Sequence, residues 1–409
     1  MRQSLVVNKK IFLYALALLP LLSIKMVSVS LILFAIGSFV GFESGSFEKK
    51  QIKTTIKLVA LLSTPFFMYL IALIWTEDLF SGLKSVEKTL PFFIIPVCVF
   101  IFKPFKTKES IIFFFKVYIK ASFFLATITI SFLILNIGEM IGIGQKSNYL
   151  LSIKTRQLIN EVPLIGEHPI YFSLILSTAI LLLYYNRFKS NVINTIFYIA
   201  FILGLLIASS RGVLLGTVIV IFLIIFQSKI IRAKKQIIIT LFSLVFFGTY
   251  FISPIKARVN EIIMVENVYP VANQYNSFSL RMAIYNCSLN LIPMAPLIGY
   301  GPADVQKELD NCYTKYKTSA FNEVKYNSHN QFFDFILSFG FIGFSIMLYC
   351  LASFIRVSLF QENKQYFNFL ILMYVSFLFE NVLVRNTGIV LFVTFNSLFT
   401  YLTLLKKNS

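Results

Sequence analysis

Apolar runs long enough to cross a bilayer recur along this whole chain, and no soluble fold buries that many. They fall near 11–24, 26–42, 56–75, 90–103, 113–135, 168–185, 192–209, 212–226, 236–253, 332–355, 366–383 and 388–405. That is about twelve spans. In hydrocarbon a backbone has to satisfy its own polar groups, so each run reads as helix. The expected fold class is therefore all-α, a polytopic membrane protein formed as one membrane domain over 1–409. Composition agrees: 13% of residues are charged, against about 25% in a soluble domain. The basic start and apolar run at the N-terminus resemble a signal peptide. No small-x-small cleavage site follows, so a retained first helix is expected.

The formal net charge is +19. Without a soluble basic domain to carry it, nucleic-acid binding is excluded, and the charge reads as membrane topology. With the N-terminus inside and the spans alternating, the inner segments hold about twenty Lys and Arg, from Arg2, Lys9 and Lys10 to Lys406 and Lys407. The short outer turns hold five: Lys25, Lys84, Lys88, Arg211 and Arg385. Both termini are then cytoplasmic. Two longer segments, 136–167 and 254–331, fall outside. The second is the large extracytoplasmic loop, between spans nine and ten. It has a helix-like part, "SFSLRMAIYNCSLNLI", and a turn-rich part, "PMAPLIGYGPADV", expected to form a lid.

Of four cysteines, Cys98 and Cys350 sit in apolar runs and read as core filler. Cys287 and Cys312 share the outer loop. A disulfide between them is open there, but spacing alone does not establish proximity. No Cys or His spacing suits a metal, no acidic DxD motif is present, and no cofactor is implied.

The chemistry-bearing residues gather at the expected outer surface. Arg211 lies in the tight turn "ASSRGVLLG", where Gly212 permits close approach. Arg281 is in the large loop, and His329 closes it just before an apolar run. Ser328 is a good N-cap for that run, which leaves His329 for other work. Glu380 and Arg385 lie near the outer end of the eleventh span, where they are placed to balance one another. His168 begins the sixth span beside Pro169. Each arginine has a plain reading as a headgroup anchor, and each histidine as an interfacial hydrogen bonder. Together they suit more. Guanidinium forks grip phosphate oxygens bidentately, and a histidine abstracts a hydroxyl proton near neutral pH. The set points to attack of an alcohol on a lipid-linked phosphate or pyrophosphate. Lys116 and Lys120, four apart on the fifth span, share a helical face. Lys116 is expected to snorkel inward, and Lys120 has no evident partner.

The segment "HNQFFDFILSFGFIG" is His, Asn, nine residues, Gly, two residues, Gly. It resembles the signature of the O-antigen ligase and O-antigen polymerase superfamily, membrane glycosyltransferases that use undecaprenyl-linked sugars. "SSRG", "LRMAIYNCSLNLIPMAPLIGYGPADV" and "FENVLVRNTGIVLF" are similar to other pieces of that family, in the same order, over about residues 160–400. The resemblance implies that His329 activates the acceptor hydroxyl, with Asn330 beside it. It implies that Arg211 and Arg281 hold the pyrophosphate in an inverting, metal-independent reaction. Where the family often carries Trp after the loop arginine, this chain has Tyr285, which keeps an aromatic for stacking. His168, Glu380 and Arg385 are further candidates for substrate binding.

The expected partners are an undecaprenyl-pyrophosphate-linked glycan donor, an acceptor and membrane lipids. A lipid A-core sugar, a second lipid-linked repeat unit or a protein hydroxyl would each serve as acceptor, and the signature is shared by all three types. The expected location is the bacterial inner membrane, with the site facing the periplasm. A lipid-linked glycan transporter is the competing class. It predicts related halves and charges at mid-membrane, and the chain has neither feature.

Overall fold

The computed structural model describes residues 12–42, 49–146, 148–227, 267–272 and 275–407. Among these the fold is helical throughout. One isolated bridge, Ala272 to Thr318, is the extent of β-structure among the described residues. The ninth expected span, 236–253, and the start of the large outer segment lie outside them.

The expected apolar runs become helices with conventional ends. We label them α1 (Ile24–Val40), α2 (Lys49–Ala72), α3 (Leu79–Thr89), α4 (Pro91–Phe100), α5 (Lys108–Leu135), α6 (Ile137–Lys146), α7 (Asn148–Glu161), α8 (Pro169–Tyr185), α9 (Asn191–Ala208), α10 (Arg211–Gln227), α11 (Ser277–Leu291), α12 (Val305–Tyr313), α13 (Gln331–Phe360), α14 (Lys364–Phe377) and α15 (Asn386–Lys407). Starts follow capping chemistry. Thr107 caps α5, Ser190 caps α9 and Asn363 caps α14, each through its side-chain oxygen. Proline opens α4 and α8 at the position where a missing N–H costs nothing.

Five helices are long and apolar enough to cross a membrane: Ile52–Ala72, Lys108–Leu135, Asn191–Ala208, Gln331–Phe360 and Asn386–Leu405. Three shorter apolar helices, Met26–Val40, Pro169–Tyr185 and Arg211–Gln227, join them. The expected first span is a short 3-10 segment at Ala15–Leu21, and the fourth is the ten-residue α4. Helix length therefore supports a membrane protein without establishing twelve crossings. The bundle is built around α15, whose apolar window is 89% buried, and α8, which is buried along nearly its whole length. α15 packs on α4, α8 on α9 and α5, and α10 along α14.

α13 is not continuous. At Gly340 the backbone adopts φ 64°, ψ −168°, and the helix breaks. The turn around Gly299 enters the break. Tyr300 and Gly301 donate their N–H groups to the Leu337 and Ser338 carbonyls at 2.8 and 3.1 Å. A Cβ on Gly340 would stand 2.1 Å from the Leu297 carbonyl oxygen, and one on Gly299 would stand 2.5 Å from the Gly340 nitrogen. The expected lid is thus a plug for a broken helix. The Leu337 and Ser338 carbonyls at the break are satisfied by protein N–H groups rather than left bare.

α11 and α12 form a small layer over the end of the bundle. Their core of Ile284, Leu291, Val305, Leu309 and Tyr313 reaches the bundle through Leu337. The Cys287–Cys312 disulfide ties the two helices, which settles the question their spacing left open. Lys116 and Lys120 both lie over the Phe188 ring, at 5.7 and 5.9 Å. Lys120 therefore has the same aromatic partner as Lys116.

Candidate active site

Six helix ends meet at one end of the bundle: the starts of α8, α10, α13 and α15 and the ends of α9 and α14. The alternating charge pattern assigns these same ends to one side. The layer of α11 closes over them. Asn276 caps α11 with a capping box, its Oδ1 accepting the Phe278 and Ser279 N–H groups at 3.0 and 2.9 Å. Arg281 is thereby placed one turn into a rigid helix.

Glu380 is the centre of the arrangement. It follows α14, is 9% exposed, and faces Arg281 and His329. One carboxylate oxygen pairs with Arg281 Nη2. The other lies 2.9 Å from His329 Nδ1. Arg281 Nη1 also donates to the Phe379 carbonyl at 3.3 Å. Burial alone would raise the Glu380 pKa. The His329 charge and hydrogen bond, with Arg281, outweigh it and hold the carboxyl down at about 2. Glu380 is therefore a fixed negative charge at neutral pH. Its partner is Arg281, not Arg385, which correction follows from the turn after Glu380. Arg385 is carried out of the cluster there and its guanidinium lies 5.8 Å from the Tyr171 ring.

His329 is held from every side. Its backbone takes φ 46°, an uncommon region for a residue with a Cβ. The N–H donates to Asn327 Oδ1 at 3.0 Å, and the carbonyl accepts from Tyr285 Oη at 3.3 Å. The Leu378 carbonyl lies at the same 3.3 Å, so the single hydroxyl proton is shared between the two loops that carry His329 and Glu380. Burial raises the Tyr285 pKa, keeping that hydroxyl a donor. Its ring meets Phe333 edge-on at 5.7 Å. The sequence put an aromatic here for stacking; the structure uses it as a brace.

The N-cap of α13 is Asn330 rather than Ser328. Asn330 Oδ1 accepts from Phe332 and Phe333 N–H, and its Nδ2 donates to the Leu378 carbonyl at 3.1 Å. Both ends of that amide are engaged in structure. Ser328 is buried and bonds Asn381 instead. Asn381 also donates to Asp334 Oδ1 at 3.1 Å, so Asp334 belongs to this scaffold below His329. Gln331 completes the stitching by accepting the Leu383 N–H at 2.7 Å.

A chamber of about 370 Å³ opens beside the cluster, lined among others by Arg156, His168, Arg281, Tyr326, His329 and Glu380. A smaller cavity of about 80 Å³ lies next to it, and Arg211 is on its wall. Arg211 Nη2 donates to Ser277 Oγ at 3.4 Å, at the first residue of α11. Gly212 permits this approach: a Cβ there would stand 2.5 Å from the Phe379 Cβ. His168 caps α8 through Nδ1, which accepts from the Ile170 N–H at 3.5 Å. Burial, with Arg385 and Arg156 nearby, lowers its pKa from 6.5 to about 4. It is therefore a neutral wall residue at pH 7.

His168, Arg211, Arg281, His329 and Glu380 are thus brought together, while Asn330, Tyr285 and Arg385 stand behind or outside the chamber. Arg156 was missed by sequence reasoning. It sits on α7, lines both cavities, and donates to the Ala208 carbonyl at 3.0 Å. Its segment reads as an ordinary outer loop, and only its position outside the inner segments marks it. Among the described residues no three His, Cys, Asp or Glu side chains are grouped to hold a metal ion.

Among the described residues the fold is a helical bundle consistent with a membrane protein, with an arginine- and histidine-lined chamber at one end. Residues 196–348 match the family model described as O-antigen ligase, and the match supports the O-antigen ligase and polymerase superfamily for this chain. The matched stretch holds Arg211, Arg281, Tyr285, His329 and Gly340; Arg156, His168 and Glu380 lie outside it. A search of the curated proteins found no significant match. A ligase- or polymerase-type function, coarsely that of a glycosyltransferase, is what the match supports.

Proposed function

We propose that this protein transfers a glycan from undecaprenyl pyrophosphate to an acceptor hydroxyl on the periplasmic face of the inner membrane. A lipid A-core sugar is the favoured acceptor, which makes it an O-antigen ligase. The observation that carries the reading is the 2.9 Å contact of His329 Nδ1 with the Glu380 carboxylate, on the wall of a chamber shared with Arg281. A carboxylate at Nδ1 keeps the proton there in the neutral imidazole, leaving Nε2 as the base.

The acceptor oxygen attacks the anomeric carbon of the donor sugar as its proton passes to His329 Nε2. The bond from that carbon to the pyrophosphate oxygen breaks in the same displacement, and the anomeric configuration inverts. Glu380 stabilises the imidazolium that forms. Arg211 and Arg281 neutralise the charge on the departing polyprenyl pyrophosphate, in the role a metal ion fills elsewhere. The imidazolium then returns its proton to the leaving pyrophosphate or to water.

The test is the glycolipid profile of a deletion strain complemented with wild type or His329→Ala. Polymer accumulating on undecaprenyl pyrophosphate over bare lipid A-core is the expected result for the variant. A single repeat unit on the core would make the protein a polymerase, and altered protein glycosylation would make it a protein O-oligosaccharyltransferase. Transfer by His329→Ala at the wild-type rate would remove the base, and no change in any glycan on deletion would favour a transporter. Transfer by the purified protein is expected to persist in EDTA; strong inhibition would rule out the metal-independent route.

A further inference from the structure

At the opposite end of the bundle from the chamber, the turn between α8 and α9 carries a basic patch. His168 on the chamber wall precedes α8, whose 17 residues put the turn about 25 Å away. The charge pattern assigns this end to the cytoplasmic side. The turn holds Arg187, Phe188 and Lys189. Phe188 is fixed in place: its N–H donates to Asn194 Oδ1 and its carbonyl accepts from Asn194 Nδ2, both at 2.9 Å. Asn194 itself is buried near the start of α9. The Phe188 ring meets Phe197 edge-on at 5.5 Å, and Phe197 stacks on Phe123 of α5 at 4.5 Å.

Two cations share this rigid ring. Lys116 and Lys120 Nζ stand 5.7 and 5.9 Å from its centroid. Side chains on a helix lean toward its N-terminus, so both lysines run along α5 toward this end. Arg187 lies 5.5 Å from the Tyr184 ring beside them. No acid is at hand to offset these charges. α8, α9 and the turn between them contain no Asp or Glu, and the sole acid of α5 is Glu109, seven residues before Lys116. That is about 10 Å along the helix. None of Lys116, Lys120, Arg187 and Lys189 is ion-paired with a carboxylate among the described residues. Lys120 lies twelve residues into a helix long and apolar enough to cross a membrane. A bare ammonium is costly there, and one ring shared by two of them offsets little of that cost. On the same face of α5, four residues beyond Lys120, Phe124 is 55% exposed. The face thus pairs a demand for an anion with an apolar surface beyond it, and a phospholipid supplies both through its phosphodiester and acyl chain.

We propose that the patch around Phe188 is a binding site for an anionic phospholipid of that leaflet. The phosphodiester sits between the Lys116 and Lys120 ammonium groups, Arg187 and Lys189 face the rest of the headgroup, and an acyl chain runs over Phe124. The site lies at the other end of the bundle from the reaction proposed above and does not rest on it.

Native mass spectrometry of the purified full-length protein, titrated with phosphatidylglycerol or phosphatidylcholine, tests it. Wild type is expected to bind phosphatidylglycerol about tenfold more tightly. The double variant Lys116→Gln, Lys120→Gln is expected to weaken phosphatidylglycerol binding about twentyfold and to leave phosphatidylcholine binding unchanged. Phe188→Leu keeps every charge and is expected to weaken it about threefold. The control is Lys53→Gln with Lys57→Gln. These two lysines are exposed, four residues apart near the start of α2, and assigned to the same side by the charge pattern; their removal is expected to leave phosphatidylglycerol binding as in wild type. Equal weakening by the two double variants would mean that net charge alone attracts the lipid, and would overturn the site. So would phosphatidylglycerol binding unchanged without Lys116 and Lys120. Displacement of the lipid by millimolar inorganic phosphate would assign the patch to a free anion instead. Lys120 is exposed, so Lys120→Gln alone, at about fivefold, reports where a double variant fails to fold.

Discussion

At the scale of single residues, the site turns on what a buried carboxylate does. Glu380 is negative because His329 and Arg281 face it, and those two are placed because Glu380 holds them. The Glu380→Gln variant keeps the shape and removes the charge. Transfer is then expected to fall about 10²–10⁴-fold, since Nδ1 loses its orienting partner and the imidazolium its counter-charge. A steady-state assay with matched expression reads this, and activity within about twofold of wild type would show that Glu380 is a structural clasp. His329 and Arg211 were legible in the sequence because charge and imidazole are conspicuous at the edge of apolar runs, and Arg281 because its loop segment carries the family resemblance. Arg156 was not, because an arginine in a polar loop looks like any other. Asn330 and Tyr285 were legible as neighbours of the site but not in their roles, since capping and bracing depend on which backbone groups come within reach.

Among the elements, the break in α13 has the largest structural consequence. A hydrophobic run from 332 to 355 reads as one span, and the helix does cover it. What periodicity cannot show is that Gly340 interrupts the hydrogen-bond ladder and admits the Gly299 turn. That docking ties the outer layer to the bundle ten residues below Asn330. Gly340→Ala is expected to destabilise the fold by about 4 kcal/mol or more, since both its φ and its contact with the Leu297 carbonyl oppose a Cβ. Gly138→Ala is the control, because nothing lies within 4 Å of the added carbon. Thermal unfolding in detergent compares them, and equal midpoints would mean the break is not required. The same two glycines, 299 and 340, belong to the motifs that carry the family resemblance. Their first task is packing, at a point where two backbones cross too closely for side chains.

For the whole molecule, pH links the site to stability. The His168 pKa is lowered from 6.5 to about 4 by burial and nearby arginines. The unfolded chain therefore takes up this proton first, and the His168 contribution, complete above about pH 6.5, is lost as pH falls toward about 4. Glu380, lowered from 4.5 to about 2, contributes fully above about pH 4.5 and loses that contribution as pH falls toward about 2. The unfolding midpoint is expected to drop in two stages on acidification. His168→Asn replaces the Nδ1 cap acceptor with an amide oxygen and removes the first stage. An unchanged slope between pH 6.5 and 4.5 in that variant would assign the first stage to another group.

The sequence by itself determined that the chain is helical and enters a membrane, because apolar runs of that length leave the backbone no other way to satisfy its hydrogen bonds. It also showed which side chains are out of place in such a chain, and so pointed to most of the residues that line the candidate site. The tertiary structure alone decided the partners. Glu380 meets Arg281 and His329 across 99 and 51 residues, and Asn330 rather than Ser328 caps α13. Hydropathy and charge act along the chain and can be read there. Hydrogen bonds and ion pairs act over about 3 Å in space, and only the packed bundle determines which groups come that close.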